Sequence, residues 1–168
     1  ISDCHLSDKS SYENLRRALE YVSKDTACKT IFLTGDLCCN PKSGDYVRLE
    51  AFIREHINEQ SIYAIAGNHD DSRLMRTELK GSSIFVTDKA TSCGREFVFL
   101  DSSFKPLDKR HPLGSGRIDN LGMARLKQQL RKTNNPIVVI HHPVIPVGSE
   151  WMKAIRLENE ADVMKVLR

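Results

Sequence analysis

Short apolar runs alternate with longer amphipathic segments along the sequence, and this alternation constrains the fold more than any other feature. Residues 30–34, 62–66 and 137–140 are mainly apolar and have the length of a buried strand. Gly35 and Gly67 stop the first two runs. The segments between the runs carry apolar residues at helical spacing. Because strands that alternate with helices form layered sheets covered by helices, the sequence predicts an α/β fold.

The amphipathic segments predict four helices, at residues 11–24, 47–57, 120–132 and 159–168. Ser10 or Ser11 is expected to cap the first of them. Residues 84–86 and 97–100 predict two further strands, which would pair around Cys93 and Gly94.

Length and composition indicate one globular domain over residues 1–168, since a domain has on the order of 150 residues. An apolar content of 40% is enough for a core that needs no disulfide or metal to fold. The 25 Lys and Arg against 22 Asp and Glu leave a net charge of +3. That balance is too mild to indicate long nucleic acid or a membrane as a partner, and no run approaches the roughly 18 apolar residues of a membrane span.

The cysteines are odd in number and match no zinc-ribbon or zinc-knuckle spacing; they are Cys4, Cys28, Cys38, Cys39 and Cys93. Five unpatterned thiols fit a reducing compartment, so a cytoplasmic location is expected. Most of them are expected to be buried structural residues.

Clusters of metal-binding side chains follow the apolar runs. They are Asp3-Cys4-His5, Gly35-Asp36, Gly67-Asn68-His69-Asp70 and His141-His142-Pro143. In open α/β sheets ligands bind beyond the carboxyl ends of the strands, so the four clusters are expected to converge. Each cluster alone is a weak signal. Together they favour a metal site, because a bound metal removes the cost of burying unpaired carboxylates and imidazoles.

The donor types indicate which ions would bind. Strand alternation would put Asp3 and His5 on one face and turn Cys4 away. Asp36, with two carboxylate oxygens, can bridge two ions. Carboxylate, imidazole and an Asn carbonyl suit Mn²⁺, Fe or Zn²⁺ better than Ca²⁺ or a structural zinc site. Two ions about 3.5–4 Å apart would generate hydroxide near neutral pH and support displacement at phosphorus.

The order of these motifs resembles the calcineurin-like metallophosphoesterases. It is most similar to the bacterial branch of cyclic-nucleotide phosphodiesterases and glycerophosphodiesterases. Residues 1–5, 100–102 and 148–159 add to the resemblance, which spans essentially the whole chain. The family fold is a four-layer α-β-β-α sandwich of two mixed sheets, and the resemblance implies that fold here.

The resemblance also implies a role for each matching residue. Asp3 and His5 would hold the first ion, Asp36 would bridge, and Asn68 and His141 would hold the second. The ions would be Mn²⁺ or Fe, alternatively Zn²⁺, and a hydroxide bridging them would attack phosphorus.

The catalytic residues would be Asp36 and His69, with His69 beside the phosphate to stabilise the transition state or protonate the leaving oxygen. Substrate contacts are expected from Asn68, His69, His142 and Trp151. Trp151 either packs in the core or offers a stacking platform to a nucleobase.

The sequence departs from the family pattern in three places. It contains no Gly-His-x-His motif, begins without Met and ends within a predicted helix, so we expect a fragment that binds metal weakly and turns over poorly alone. The family often has Asp or Asn three residues after Asp36, where it can orient the phosphate-side His; here Cys39 is either a buried or a redox-sensitive thiol. Lys153 stands where related proteins often have Asp, and it either favours an anionic substrate or faces solvent.

The leading functional hypothesis is hydrolysis of a small phosphodiester, with 3′,5′-cyclic AMP or another cyclic nucleotide as the favoured substrate. The alternatives within the family are glycerophosphodiesters, phosphomonoesters and nucleic acid, although the chain has no basic stripe for long nucleic acid. A hypothesis of another class is a metal-poor binding scaffold without catalysis. Assembly into a homo-oligomer stays open.

Overall fold

The computed structural model describes residues 1–168, and the chain forms two compact units, Ile1–Thr87 and Asp88–Arg168. In chain order the elements are α1 (Lys9–Ser23), β1 (Thr30–Thr34), α2 (Asp45–Arg54), β2 (Ser61–Ile65), α3 (Ser72–Glu78), β3 (Ile84–Phe85), β4 (Lys89–Ser92), β5 (Arg95–Leu100), α4 (Asn120–Lys132), β6 (Ile137–Ile140), α5 (Glu150–Ala154) and α6 (Glu160–Leu167). No helix is both long enough and apolar enough to cross a membrane.

The sheet of the first unit has the order β1-β2-β3, and both strand pairs are parallel. The register of β1 with β2 runs from Thr30 opposite Ser61 to Thr34 opposite Ile65, so both strands end at the same edge. The amino-terminal segment runs alongside β1, because the Thr34 N–H donates to the Ile1 carbonyl at 2.9 Å. Three chain segments therefore bring their carboxyl ends to one edge of this sheet.

Helix α1 packs Leu15 and Leu19 into the core of the first unit. The prediction that Ser10 or Ser11 caps this helix is wrong, because the cap is Asp8. The Asp8 carboxylate accepts from the Ser11 N–H at 2.8 Å, and the Ser11 hydroxyl oxygen accepts from the Asp8 N–H at 3.1 Å. This reciprocal pair is a capping box, with Ser11 at its third helical position. The remaining buried core comes from β1, β2, α2, α3 and the loops, and includes Ile31, Leu33, Leu49, Ile53, Ile62 and Met75.

The sheet of the second unit has the order β4-β5-β6, with β4 antiparallel and β6 parallel to β5. Cys93 and Gly94 form the turn between β4 and β5, and both have positive φ (48° and 71°), as a two-residue type I′ hairpin requires. Its core cluster contains Val98, Leu100, Ile118, Leu126, Leu157 and Val163.

Two sheets and six helices confirm the predicted α/β class. The second sheet is mixed as the resemblance implied, whereas the three strands of the first pair only in parallel. The expected pairing of residues 84–86 with 97–100 is wrong: β3 extends the first sheet, and the polar strand β4 pairs with β5 instead. Helix α4 has the predicted bounds and is capped by Asp119.

Candidate metal centre

Asp3 and His5 lie at the end of the amino-terminal segment, which runs alongside β1. The His5 Nε2 is 3.9 Å from the Asp3 Oδ1, so the two side chains do face the same point. The predicted reason was strand alternation, and that reason is wrong. Both residues have left-handed backbone angles, with φ of 56° at Asp3 and 44° at His5, so the chain turns there and no strand is formed.

Cys4, between them, turns the other way, as the sequence predicted. Its side chain packs against the core of the first unit, and burial raises the pKa of the thiol to about 11. Because it packs against the core, the thiol points away from Asp3 and His5.

Asp36 follows β1 directly after Gly35 and is only 4% exposed. Its Oδ1 accepts from the His69 N–H at 2.9 Å, and its Oδ2 lies 3.7 Å from the His5 Nε2. A Cβ at position 67 would lie 2.2 Å from the Asp36 Oδ1, so only Gly67 lets the end of β2 approach this carboxylate. One carboxylate thus joins the residues that follow β1 and β2.

Three of the predicted ligands hold strained backbone conformations, since Asp36 also has a positive φ, of 52°. Left-handed angles at residues other than Gly cost on the order of 1–3 kcal/mol each and persist only where the surroundings impose them. Here backbone hydrogen bonds do so: the Asp3 N–H donates to the Gly35 carbonyl at 3.0 Å, and the His5 N–H to the Asp36 carbonyl at 2.9 Å. Strain concentrated at three adjacent polar residues is typical of a functional site.

The spacing of Asp3, His5 and Asp36 fits a divalent ion. Separations of 3.7 and 3.9 Å between nitrogen and oxygen are too long for hydrogen bonds. Ligand atoms about 2.0–2.2 Å from a shared ion lie roughly 3–4 Å apart, so the same separations suit ligands of one ion. The second oxygen of Asp3 is already held, since it accepts from the Ser2 hydroxyl at 2.5 Å.

Asn68 and His69 occupy the loop that follows β2. Asn68 is half-buried between Gly67, which packs on Asp36, and His69, whose N–H is bonded to Asp36. The His69 side chain is exposed, and its ring meets the His5 ring edge to face with centroids 4.7 Å apart. The exposed imidazole thus stands beside the candidate metal ligands, where it can reach a substrate.

Asp70 holds together the loops that follow β1 and β2. Its two oxygens accept from the backbone N–H groups of Leu37, Cys38 and Gly67, each at 3.0 Å. The Tyr46 hydroxyl donates to it at 3.0 Å. Burial raises the pKa of Asp70, and the hydrogen bonds partly oppose that rise.

Sequence reasoning missed Tyr46, which is fully buried in α2. Its hydroxyl donates to Asp70 and accepts from the Asp71 N–H at 3.0 Å, at the cap of α3. A single Tyr in an amphipathic helix carries no signal of such a contact, because nothing local to position 46 announces a partner 24 residues away.

His141 comes directly after β6 in the second unit and is half-buried. Its ring stands perpendicular to that of His142, with centroids 5.0 Å apart. The strand that precedes it is parallel to β5, so His141 is presented at a carboxyl end, as predicted.

The predicted substrate contact from His142 does not fit the structure. The residue is 3% exposed, its Nδ1 is 2.8 Å from the Ser102 hydroxyl, and its Nε2 donates to the Gly114 carbonyl at 3.1 Å. A Cβ at position 116 would lie 2.3 Å from the His142 ring, so Gly116 makes room for it. Both nitrogens of this buried imidazole are hydrogen-bonded, to Ser102 and to Gly114. His142 is therefore not part of the proposed substrate site.

Trp151 is 68% exposed in the short helix α5, so the core interpretation of this residue is wrong. Lys153 pairs with Glu150 on the same helix. Asp101 follows β5, and its carboxylate accepts from the Ser103 N–H at 3.0 Å. All five cysteines are free, and only Cys38 is buried, so the expectation that most of them are buried is wrong.

Comparison with known proteins gives one family. A model of the family described as calcineurin-like phosphoesterase matches residues 1–166. A probable cyclic nucleotide phosphodiesterase of Colwellia psychrerythraea is 27% identical over 80% of this chain and 49% of its own length. One of Synechococcus is 32% identical over 82% of this chain and 51% of its own length.

A protein of Mycobacterium tuberculosis named as a cAMP/cGMP dual specificity phosphodiesterase is 25% identical over the whole chain and 56% of its own length. The chain thus spans about half the length of these curated relatives. The family model covers nearly every residue of both units, including each of the polar clusters at the strand ends. The chain belongs to the calcineurin-like phosphoesterase family.

Proposed function

We propose that the protein is a metal-dependent phosphoric diester hydrolase whose favoured substrate is a 3′,5′-cyclic nucleotide such as cAMP. Membership of the family supports the reaction class, and the names of three relatives support the cyclic nucleotide. The observation that carries the proposal is the position of the His5 Nε2, 3.9 Å from Asp3 and 3.7 Å from Asp36. Two carboxylates and an imidazole at these separations form a site for a divalent ion.

The proposed metal ligands are Asp3 and His5 for one ion, Asn68 and His141 for another, and Asp36 for both. Their donors are carboxylate oxygen, amide oxygen and imidazole nitrogen, which suit Mn²⁺, Fe or Zn²⁺. Divalent ions bound there would lower the pKa of water and neutralise charge on the phosphoryl oxygens. The buried Asp36 suits its role, since a carboxylate nearly excluded from water is stabilised by neighbouring positive charge.

His69 is the proposed acid of the reaction. Its backbone is tied to Asp36, so the exposed ring has a defined position beside the ligands. From there the imidazole would donate a hydrogen bond to a phosphoryl oxygen or a proton to the leaving oxygen. General acid catalysis of this kind contributes about 10²–10⁴-fold in rate, so His69→Gln is expected to lower kcat by that factor while metal binding persists.

The proposal is tested with the full-length protein, assayed on cAMP with added Mn²⁺. A glycerophosphodiester, a phosphomonoester and double-stranded DNA serve as competing substrates. We expect hydrolysis of cAMP that stops on chelation and is lost in Asp36→Asn. The matched control is Asp101→Asn, at a carboxylate that bonds Ser103 in the second unit. Absence of phosphodiester hydrolysis with every divalent metal would overturn the proposal.

Metal analysis separates the enzyme from the alternative of a non-catalytic scaffold. The enzyme is expected to hold two ions per chain, the scaffold none. The five free thiols support a reducing compartment, and we propose the cytoplasm.

A further inference from the structure

A second set of metal-binding side chains shares His5 with the first set and lies within the same unit. One ligand atom from each of His5, Cys39 and His69 lies within 4.8 Å of the other two. The Cys39 Sγ is 3.9 Å from the His69 Nδ1. These donors are two nitrogens and one sulfur, whereas Asp3 and Asp36 offer oxygen. The two sets therefore differ in the ions that they prefer.

The backbone holds both ends of this cluster in place. The Cys39 N–H donates to the Leu6 carbonyl at 3.2 Å, and the His69 N–H donates to Asp36 at 2.9 Å. Asn40, in a left-handed conformation with φ of 51°, places its Nδ2 3.8 Å from the Cys39 Sγ as a donor. The sulfur thus lies between the Asn40 amide and the His69 imidazole.

The distances and the access to solvent fit a single ion. Around a tetrahedral Zn²⁺, a sulfur at about 2.3 Å and a nitrogen at about 2.0–2.1 Å are roughly 3.5 Å apart, close to the observed 3.9 Å. His69 is exposed, and His5 and Cys39 are half-buried, so an ion can reach all three from solvent. Thiolate ligands favour Zn²⁺ or Cd²⁺ over Mn²⁺ and Mg²⁺.

We propose that His5, Cys39 and His69 bind one thiophilic divalent ion, Zn²⁺ or Cd²⁺, through two imidazole nitrogens and the Cys39 thiolate. Binding breaks the Sγ–H bond, forms a metal–sulfur bond and releases the proton to solvent. Because His5 and His69 also belong to the proposed phosphoesterase site, the bound ion inhibits hydrolysis. That consequence rests on the proposed function, whereas the binding itself does not.

The binding is tested by titrating the metal-free protein with Cd²⁺. The ultraviolet charge-transfer band of a cadmium–thiolate bond reports the sulfur ligand directly. Since loss of groups that merely support a ligand costs about 10–100-fold in affinity, Cys39→Ser should weaken Cd²⁺ binding by about 100-fold or more. The matched control Cys93→Ser removes an exposed thiol and should leave the titration unchanged. A Cys39→Ser protein that titrates like the wild type overturns the proposal.

A second measurement needs no variant and so does not depend on how a variant folds. Alkylation of the wild-type thiols is mapped by mass spectrometry with and without Cd²⁺. We expect the ion to slow alkylation of Cys39 by about 10-fold or more and to leave Cys93 unaffected. Equal protection of both residues, or of neither, overturns the proposal.

The inhibition is tested by adding Zn²⁺ to the Mn²⁺-loaded protein during hydrolysis of cAMP. Relative to its own rate without Zn²⁺, Cys39→Ser should need about 100-fold more Zn²⁺ for half-inhibition than the wild type. The two proposals fail separately. A cadmium–thiolate band at Cys39 without any hydrolysis supports the His5–Cys39–His69 site and overturns the proposed function. Hydrolysis without the band supports the proposed function and overturns the His5–Cys39–His69 site.

Discussion

Gly67 lies so close to Asp36 that a Cβ at position 67 would be 2.2 Å from the carboxylate Oδ1 and 2.4 Å from the backbone nitrogen. The contact joins the loops that follow two neighbouring parallel strands, and it leaves the Asp36 carboxylate between His69 and His5. Any side chain at position 67 must displace this carboxylate.

We therefore expect Gly67→Ala to destabilise the protein by about 1–3 kcal/mol, as overpacking does, and to weaken Mn²⁺ binding by about 10-fold or more. Thermal unfolding and calorimetric titration measure the two effects. Ser61→Ala, at the exposed start of β2, is the control and should change neither. Normal metal affinity in Gly67→Ala would show that Asp36 need not stay where the structure holds it.

Tyr46→Phe removes the only side-chain hydroxyl that donates to the Asp70 carboxylate and also the acceptor of the Asp71 N–H. Because the buried Tyr46 side chain loses two hydrogen bonds, each worth about 0.5–1.5 kcal/mol, the free energy of unfolding should fall by about 1–3 kcal/mol. Urea unfolding measures the change. Tyr21→Phe, at a tyrosine of α1 that is 81% exposed, should fall within about 0.5 kcal/mol of the wild type. Equal effects of the two substitutions would contradict the role of Tyr46.

Glu158 predicts an acid-sensitive contribution to stability in the second unit. Its carboxylate accepts from the N–H groups of Leu107 and Asp108 and pairs with Arg117 at 3.2 Å. The hydrogen bond from the Asp108 N–H is the main factor that lowers the pKa of Glu158 in the folded state. The ionised group therefore stabilises the fold above its unfolded pKa of about 4.3, and the contribution is lost as pH falls through that value toward the lower folded pKa.

Glu158→Gln should accordingly be less stable than the wild type at neutral pH, and the difference in the free energy of unfolding should shrink as the pH falls below the unfolded pKa of about 4.3. Urea midpoints across this range give the difference. Glu59→Gln, at an exposed residue, is expected to show no such dependence. A gap that stays constant with pH would mean that the ionised carboxylate is not what stabilises these loops.

Trp151 remains a predicted stacking platform for the base of a cyclic nucleotide. Stacking on an aromatic side chain is worth about 1–3 kcal/mol, so Trp151→Ala should raise KM for cAMP by about 5–150-fold. KM for a glycerophosphodiester, which has no base, should stay the same. Tyr21→Ala controls for the loss of an exposed aromatic residue elsewhere. Equal changes in KM for both substrates would contradict stacking.

Sequence reasoning worked best where one strong local signal sufficed. The apolar runs predicted β1, β2 and β6. The sequence also predicted burial for all three, which is wrong for β6, because none of its four residues is fully buried. Strand β4 has the sequence Lys-Ala-Thr-Ser, with no apolar run, and only its hairpin partner makes it a strand. Helix α5 has five residues, too few to show a period.

In the candidate site, too, some features have a local sequence signal and others do not. The four polar clusters could be found because metal-type residues at strand ends are unusual in combination. The resemblance to the family then singled out Asp3, His5, Asp36, Asn68 and His141 as the expected ligands. The left-handed turns at Asp3 and His5 could not be predicted, since the sequence does not show which residues other than Gly adopt a positive φ. The burial of His142 and the partial exposure of Cys39 could not be predicted either, because both depend on packing between distant segments.

The most direct measurement is a crystal structure of the protein grown with Mn²⁺, with the ion located by anomalous scattering. We predict an ion coordinated by the His5 Nε2 and by the two oxygens near it, the Asp3 Oδ1 at 3.9 Å and the Asp36 Oδ2 at 3.7 Å. An ion bound elsewhere, with these three side chains left uncoordinated at saturating Mn²⁺, would contradict the proposed metal centre.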